Sequence, residues 1–296
     1  MLSAPSNATD AFIAEYFNEN PDVSYDISLK EATIDHVANC EYWVVDRSNG
    51  SSNVDVTIGW DGASCCLNDL ALLKVVAWDG AQWTNLGNGG TTGDLLSGTI
   101  TSSSSITNNN NPITFGDPFP IVDFTGLAGP YCISDAPVAL TGSPQDANGT
   151  FSGDGVTDNG NGTGSFDPSA AGTGTHNITY TYVNGVSGCS NEVEKSDTVN
   201  GLPTATTLDS DTVCPGVPVD ISIYFTGLAP WDVTYTNNTD TTNLITSDNP
   251  YEFAAVDSGT YHVIALSDAN GCTGNDFGDS AVITYFQQVP VPTIDT

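Results

Sequence analysis

A motif with two cysteines occurs twice in the second half of the chain, and this repeat constrains the fold more than any other feature. The first copy holds "PYCISDAPVALTG" (130–142) and "GTHNITYTYVNGVSGC" (174–189), and the second holds "DTVCPGVPVDISIYFTG" (211–227) and "GTYHVIALSDANGC" (259–272). The copies are offset by about 80 positions, the size of one small domain. The sequence therefore predicts two tandem copies of one domain.

The cysteines keep nearly the same spacing in the two copies. Cys132 precedes Cys189 by 57 positions, and Cys214 precedes Cys272 by 58. Matched spacing predicts that each copy closes its own disulfide, Cys132–Cys189 in the first and Cys214–Cys272 in the second. In the chain-entropy model, a loop of this length contributes roughly 4 kcal/mol.

Apolar and polar residues alternate inside each copy, which is the period of a β-strand. The residues expected on one face are Ile178, Tyr180 and Tyr182 in the first copy, and Val219, Ile221 and Ile223 in the second. Turn sequences such as "VNG" and "DANG" separate the strands. About 80 residues with six or seven short strands are typical of an immunoglobulin-like sandwich.

The N-terminal part of the chain reads as a third β-sandwich with its own sequence pattern. Val54, Val56, Ile58 and Trp60 alternate onto one face. The segment "DAFIAEYF" (10–17) is compatible with a short helix or with an edge strand. "VPVPTIDT", at the end of the chain, resembles the start of the second copy. The expected domains are 1–120, 121–202 and 203–289, and 290–296 would begin a further repeat.

The composition excludes some functions. The chain has 4 Lys and Arg against 36 Asp and Glu, a formal net charge of −32, so it cannot replace the counterions of a nucleic acid or of an anionic membrane. No apolar run approaches the roughly 20 residues that span a bilayer. The first residues lack the pattern of a signal peptide. We therefore expect a piece of a larger exported protein.

Catalytic motifs are missing from the sequence. It has three histidines, and no hydrolase, zinc-protease or nucleotide-binding signature. His176 and His262 lie near equivalent places in the two copies, which favours a role in the repeat. The cysteines lack the spacing of a zinc site. We therefore predict that the chain is not an enzyme.

Two binding functions are compatible with the sequence. Asp209 and Asp211 lie near the boundary of the two copies and could hold Ca²⁺, although such residues also form ordinary turns. Trp78 and Trp83 could form a platform for sugar rings, although a tryptophan in a small sandwich usually belongs to the core. No cofactor is required in either case.

The doublet Cys65–Cys66 lies in the N-terminal part. A bond between adjacent cysteines is rare because its ring is strained. Cys40 with either member of the doublet would close a loop of 25 or 26 positions, worth roughly 3.5 kcal/mol. The spacing alone does not distinguish the two partners.

Three parts of the sequence resemble known modules and together cover nearly the whole chain. They contain "EYWVVDR" with "LNDLALLKVVAWDGAQWTNLGNG", "YCISDAPVALTGSPQDANGTFSGDGV", and "CPGVPVDISIYFTGLAPWDVTYTNN". They resemble modules of the very long multidomain cell-surface proteins of Bacteroidota, including gliding-motility adhesins, which leave the cell by type IX secretion. The resemblance implies an extracellular location at the cell surface and names no ligand.

The resemblance also implies specific residue roles. A single cysteine follows serine at this point of the similar modules, which implies that Cys65 pairs with Cys40 and that Cys66 is a free thiol. Periplasmic O-glycosylation in that phylum uses Asp, then Ser or Thr, then a small or aliphatic residue. The acceptors that this pattern implies are Thr198, Thr212, Ser280 and, more weakly, Thr241.

The sequence thus predicts an all-β chain of three antiparallel β-sandwich domains in tandem, the last two immunoglobulin-like. We expect a non-catalytic, disulfide-stapled spacer or stalk of a surface adhesin. Its expected partners are other domains of the same array, surface glycans or identical chains, and neither nucleic acid nor the membrane interior. One alternative is a carbohydrate-binding module of a secreted enzyme. Another is a filament subunit in which "AFIAEYF" (11–17) completes a neighbour's sheet by strand addition.

Overall fold

The computed structural model describes residues 1–62, 64, 67–107 and 111–287. Within these ranges the chain is built almost entirely of β-strands. The buried apolar side chains form clusters that each belong to one part of the chain: 1–120 (domain 1), 121–202 (domain 2) or 203–287 (domain 3). The predicted all-β class is therefore correct.

Domain 1 packs a five-stranded antiparallel sheet, in the order β1-β2-β8-β4-β5, against a three-stranded sheet, in the order β3-β7-β6. The strands are β1 (Ala11–Phe17), β2 (Tyr42–Asn49), β3 (Thr57–Trp60), β4 (Lys74–Trp78), β5 (Trp83–Gly87), β6 (Gly90–Gly93), β7 (Gly98–Thr101) and β8 (Asn111–Gly116), with a 3-10 turn at Pro21–Val23. The alternation predicted from Val54 to Trp60 is confirmed, since the four apolar residues are buried. The undecided segment 10–17 forms an edge strand.

Domain 2 is a sandwich of two four-stranded sheets, in the orders β10-β16-β15-β12 and β13-β14-β11-β9. Its elements are β9 (Asp123–Thr125), β10 (Tyr131–Cys132), β11 (Val138–Ser143), β12 (Gly149–Ser152), β13 (Val156–Asp158), β14 (Thr163–Phe166), α1 (Pro168–Ala171), β15 (Gly174–Val183) and β16 (Ser190–Asn200). Ile178, Tyr180 and Tyr182 point into its core as the alternation predicts.

Domain 3 packs a three-stranded sheet, in the order β17-β19-β22, against a five-stranded sheet, in the order β18-β24-β23-β20-β21. Its strands are β17 (Ala205–Leu208), β18 (Asp211–Val213), β19 (Val219–Phe225), β20 (Trp231–Thr236), β21 (Thr241–Thr246), β22 (Tyr251–Ala255), β23 (Gly259–Ser267) and β24 (Ala281–Tyr285). Val219, Ile221 and Ile223 are buried, as predicted.

The chain enters domains 2 and 3 in the same way. The first strand of each domain lies in one sheet, and the next short strand crosses to the other sheet. There it pairs in parallel with the last strand of the domain, β10 with β16 and β18 with β24. The remaining pairings in these domains are antiparallel. Two such sheets packed face to face form an immunoglobulin-like sandwich.

Candidate functional site: the domain junctions

The immunoglobulin-like domains carry a cysteine at each end. Cys132 ends β10, opposite Asn200 at the end of β16, where the chain leaves domain 2. Cys189 comes directly before β16, at the opposite end of that strand. In domain 3, Cys214 follows β18, and Cys272 lies in the loop between β23 and β24. The four cysteines therefore lie at the ends of their domains.

The loop that carries Cys272 is shaped by the side chain of Asp268. Its Oδ1 accepts hydrogen bonds from the backbone N–H groups of Asn270 (3.0 Å) and Cys272 (3.1 Å). Its Oδ2 accepts from the N–H of Leu228 (3.1 Å). The N–H of Asp268 donates to the carbonyl oxygen of Cys272 (3.1 Å), which closes the turn. Cys272 is fully buried in this loop.

The loop that carries Cys189 has the same design, with Asn184 in the place of the aspartate. Its Oδ1 accepts from the N–H groups of Val186 (2.8 Å) and Ser187 (3.1 Å). Its own N–H donates to the carbonyl oxygen of Cys189 (2.7 Å), which is also fully buried. An Asn or Asp that binds the backbone two residues ahead is a common turn device. In both copies it fixes the cysteine at the N-terminal end of the domain.

A disulfide joins Cys132 of domain 2 to Cys272 of domain 3, with 5.6 Å between the two Cα atoms and a sequence separation of 140. The bond thus connects the exit end of one domain to the entry loop of the next. The linker lies beside it. A Cβ atom on Gly274 would come within 2.3 Å of the carbonyl oxygen of Pro203, so only glycine allows this approach of the loop to the linker.

The predicted pairs Cys132–Cys189 and Cys214–Cys272 are wrong, for a geometric reason. Cys132 lies opposite Asn200, and Cys189 precedes Ser190. Ser190 and Asn200 are the first and last residues of β16, a strand of eleven residues that is about 33 Å long. A disulfide needs Cα atoms within about 7 Å. Equal spacing in both copies reflects the repeat and does not identify the pair.

The other predicted cysteine roles have different outcomes. Cys40 and Cys189 are disulfide-bonded. Cys214, predicted to be bonded, is a free and exposed thiol. Cys65 and Cys66 lie outside the described residues, so the pairing of Cys40 with Cys65 and the free thiol at Cys66 stay predictions.

Polar side chains connect domains 1 and 2. Asn184 Nδ2 donates to Asn68 Oδ1 (2.7 Å). Asn191 Nδ2 donates to the carbonyl oxygen of Pro120 (2.8 Å) and lies 3.2 Å from His36 Nε2. The other ring nitrogen of His36, Nδ1, is 2.8 Å from Asp35 Oδ2. The loop that carries Cys189 therefore contacts domain 1, and the loop that carries Cys272 contacts domain 2.

An open groove of about 530 Å³ lies along this first junction. It is lined by residues of both domains, among them Lys30, His36, Phe119 and Ser190. The histidines do not gather into one site, because His176 and His262 belong to the two other domains. They also differ from each other. His176 is the third residue of β15 and is buried, whereas His262 is the fourth residue of β23. A shift of one residue along a strand reverses the face.

The predicted calcium ligands lie within domain 3. Asp209 and Asp211 belong to the crossing between β17 and β18, where they line a shallow surface depression together with Asp220. The residues that line this depression belong to domain 3, and calcium binding by the two carboxylates stays a prediction. Within the described residues, no group of three or more His, Cys, Asp or Glu is arranged to hold a metal ion.

The predicted sugar platform is not formed. Trp83 has no exposed surface, and its ring packs against Tyr25 and Trp78 with edge contacts. Trp78 is only partly exposed, and its ring packs against those of Tyr25 and Trp83. Trp83 belongs to the core, because a buried indole cannot stack on a sugar.

The predicted glycosylation acceptors are mostly accessible. Thr212, Ser280 and Thr241 are exposed, and Thr198 is half-buried. Thr212 Oγ1 lies 2.7 Å from Thr284 Oγ1, and Thr198 Oγ1 lies 3.3 Å from Thr175 Oγ1. Each contact joins two residues that face each other on neighbouring strands.

Residues 11–17, proposed for strand addition, pair along their whole length with β2 in domain 1. The opposite side of β1 is an edge of the sheet. In the part of the chain that the structure describes, no helix is long and apolar enough to cross a membrane.

Sequence reasoning missed the two residues that shape the cysteine loops, Asn184 and Asp268, and the junction residue Asn191. A signal for the first two is present. Both copies end their cysteine segment with an Asn or Asp, two or three intervening residues and Gly-Cys, as in "NGVSGC" and "DANGC".

No protein-family model matches the chain, and no curated protein matches it. Several solved structures match at low scores. Extracellular domains 3–5 of OTK from Drosophila align with 78% of this chain and 92% of their own at 11% identity, with a TM-score of 0.35. An I-band fragment of titin aligns with 79% of this chain and 93% of its own at 14% identity and a TM-score of 0.32. Fibronectin(III)-like modules of CbhA from Clostridium thermocellum cover 58% of this chain and 100% of their own at 13% identity and a TM-score of 0.28.

Proposed function

We propose that this chain is a spacer within an extracellular adhesion-type protein, and that disulfides hold its domains in series. The observation that carries the proposal is the bond between Cys132 and Cys272, because it joins two domains. A bond inside one domain would stabilise that domain. A bond between domains also restricts how one domain turns on the next, which is the property that a spacer needs.

The oxidised cysteines and the net charge of the chain support an extracellular location. At least four cysteines are oxidised, and structural disulfides persist mainly outside the reducing cytosol. The formal charge of −32 keeps a tandem array soluble by self-repulsion.

The test of the spacer function is the shape of the chain in solution. We compare the wild-type protein with the double variant Cys132→Ser/Cys272→Ser by small-angle X-ray scattering. The variant is expected to have a broader distribution of maximum dimensions, because only the linker then joins domains 2 and 3. Cys214→Ser, which removes a thiol outside any bond, serves as the matched control. Identical scattering from all three proteins would contradict a stiffening role.

The parent protein, in this proposal, is a large surface protein of Bacteroidota that leaves the cell by type IX secretion and takes part in adhesion or gliding motility. The support is the resemblance of the sequence to modules of such proteins. Protease treatment of intact cells tests it, because a surface protein is cleaved while cytosolic markers survive. Resistance of the chain on intact cells would argue against this location.

Two modifications belong to the same proposal. Thr212, Ser280 and Thr241 are exposed in Asp-Ser/Thr contexts that suit O-glycosylation, and Thr198 is half-buried in the same context. Intact-mass measurement of protein from the native cell is expected to show added hexose units that disappear from Thr→Ala and Ser→Ala variants. Bare peptides at all four positions would contradict the modification.

Calcium binding at Asp209 and Asp211 belongs to the same proposal, and these two residues line one surface depression. Oxygen ligands are the ones that Ca²⁺ prefers. An ion held only by the folded state raises the unfolding temperature. Thermal unfolding with Ca²⁺ and with a chelator tests this, and equal midpoints would contradict it.

A further inference from the structure

Cys214 occupies in domain 3 the place that Cys132 occupies in domain 2. In domain 2, Cys132 pairs with Asn200, and the N–H of Ile133 donates to the carbonyl oxygen of Asn200 (2.9 Å). In domain 3, Val213 pairs with Tyr285, and the N–H of Phe286 donates to the carbonyl oxygen of Val213 (2.9 Å). Each cysteine therefore lies beside the residue at which the chain leaves its domain.

The turns that follow the two cysteines are also equivalent. The carbonyl oxygen of Cys132 accepts from the N–H of Asp135 (2.9 Å), and that of Cys214 accepts from the N–H of Val217 (3.1 Å). Both cysteines therefore begin a four-residue β-turn at the exit end of a domain. They differ in one respect, since Cys132 is bonded to Cys272 and Cys214 is a free, exposed thiol.

Three apolar side chains at the same end of domain 3 as Cys214 are exposed. Phe286 is 59% exposed, Val256 is 50% exposed and Val217 is 46% exposed. Hydrogen bonds hold them at the same end of the domain, because Phe286 binds Val213 and the hydroxyl of Tyr285 donates to the carbonyl oxygen of Val256 (2.7 Å). Apolar surface grouped in this way usually marks a contact with another protein surface.

We propose that Cys214 is the attachment point for a further immunoglobulin-like module. The module would follow Phe286 as domain 3 follows Asn200, and the buried cysteine of its Asn- or Asp-headed loop would form a disulfide with Cys214. The proposal deepens the spacer function and rests on it. The partner group is defined by the two loops of this chain, 184–189 and 268–272, which both hold a buried and bonded cysteine.

The bond forms by thiol–disulfide exchange with a small disulfide such as oxidised glutathione. The thiolate of Cys214 attacks one sulfur of the small disulfide, and one small thiol leaves. The loop thiolate then attacks Sγ of Cys214 in the mixed disulfide, and the second small thiol leaves. In sum, two S–H bonds and one small disulfide are exchanged for one protein disulfide and two small thiols. The exposure of Cys214 allows the first attack.

The test lengthens the chain by one module. Residues 201–296 are appended after Phe286, so that a second copy of domain 3 follows the first at the natural linker. The added copy brings two cysteines. After refolding with reduced and oxidised glutathione, we expect the number of free thiols to be unchanged from the original chain. Non-reducing peptide mapping is expected to find Cys214 of the first copy bonded to Cys272 of the second.

A matched variant places the thiol three residues away on the same exposed turn. In the lengthened chain, Cys214→Ser with Val217→Cys keeps a free thiol near the added module but removes it from the proposed position. We expect at least a tenfold lower yield of the bond to the second copy. An equal yield would overturn the proposal, because proximity alone would then explain the bond. Two additional free thiols in the lengthened chain, or a bond between two Cys214 residues of separate chains, would also overturn it.

A second lengthened chain covers the case in which the appended copy does not fold. It carries residues 119–202 after Phe286, with Cys132 of the added copy replaced by Ser, and the expected bond joins Cys214 to the added Cys189. Hydrogen exchange identifies which appended copy is folded. The presence or absence of the bond from Cys214 to that folded copy then decides whether the proposal is correct. The spacer function is judged separately, by the scattering of the original chain. The proposed bond of Cys214 can therefore be disproved while the spacer function is supported, and the spacer function can be disproved while the bond is found.

Discussion

Domains 2 and 3 have the same framework but place one edge strand in different sheets. In domain 2, β13 pairs with β14 in the sheet that contains β9. In domain 3, the corresponding strand β21 stays beside β20 in the opposite sheet. The two domains thus differ at the edge of the sandwich, whereas the parallel pairs at the exit end and the cysteine loops at the entry end are the same.

The local sequence explains this difference. After β12, Gly153 and Gly155 adopt positive φ angles of 141° and 71°, which glycine allows and other residues rarely adopt. They turn the chain towards the other sheet. After β20, the buried Asn237 binds the N–H groups of Thr239 (2.9 Å) and Asp240 (2.7 Å) and closes a hairpin. The comparison shows that the edge strands of the two sandwiches differ, whereas the parallel strand pairs and the cysteine loops at the ends of the domains have the same arrangement.

The largest effect is expected from removing the bond between the domains. In the chain-entropy model, a closed loop of 140 positions stabilises the state with domains 2 and 3 both folded by about 5 kcal/mol, as an upper value. Cys132→Ser/Cys272→Ser should lower the free energy of unfolding in guanidinium by an amount up to this value. Cys214→Ser should leave it unchanged. If the double variant is as stable as the wild type, the prediction is contradicted, because the bond then has little effect on the entropy of the unfolded chain.

Equivalent core residues test whether the two domains unfold separately. Leu140 and Ile221 lie on corresponding strands and have no exposed surface. Leu140→Ala and Ile221→Ala should each cost about 2–5 kcal/mol, because the lost contacts leave a cavity. Hydrogen exchange followed by mass spectrometry should show faster exchange only in the substituted domain. Equal acceleration in both domains would show that they unfold as one unit.

The edge hairpin of domain 3 should respond more weakly. Asn237→Ala removes the acceptor of two backbone N–H groups and is expected to cost about 1–2 kcal/mol. Exchange should rise in β21 and stay unchanged in β13 of domain 2. Asn238→Gly is the control, because Asn238 has a positive φ of 72° that glycine adopts without strain. Loss of stability in the control and not in Asn237→Ala would contradict this explanation.

Acid should affect domain 2 slightly more than domain 3. The pKa of Asp123 is lowered from its usual 3.8, chiefly by the hydrogen bond from Lys195 at 2.8 Å. The pKa of Asp167 is lowered by the hydroxyl of Ser169. A carboxyl with a lowered pKa in the folded state stabilises the fold above its unfolded pKa. This contribution is lost as the pH falls below about 3.8 and through the folded value.

The ion pair of Asp123 with Lys195 is exposed, so it contributes about 0.5 kcal/mol or less. The measurement is the exchange of domain 2 in the wild type and in Asp123→Asn as the pH is lowered from 6 to 2. The two proteins should differ above the usual pKa and converge at the acid end. A difference that grows with acid would have the wrong sign and would contradict the assignment.

The strands could be predicted from the sequence because burial follows the period of two, as for Ile178 and Tyr180. The junction could not be predicted in the same way. Cys132 has two candidate partners, Cys189 and Cys272, and chain spacing does not say which one is within 7 Å. The parallel pairing of β10 with β16 decides it, and that pairing is a property of the folded domain.

The aromatic residues show a second limit of sequence reasoning. Trp78 ends β4 and Trp83 begins β5, and the two residues pair with each other. Trp83 is nevertheless fully buried, whereas Trp78 is partly exposed. Trp83 is a buried member of a cluster with Ile34 and Val37, which lie far away in the sequence, whereas Trp78 is a partly buried residue packed against that cluster. Contacts of this kind depend on tertiary packing, so a local pattern cannot distinguish a binding surface from a core.

The bond between Cys132 and Cys272 also determines how the chain would carry tension. A pull applied before Cys132 and after Cys272 crosses the bond, so residues 133–271 form a side loop that bears none of the load. Fully extended, that loop corresponds to about 480 Å of chain. A reducing agent would release this length. The same protein would thus be a short tether in an oxidising environment and a much longer one after reduction.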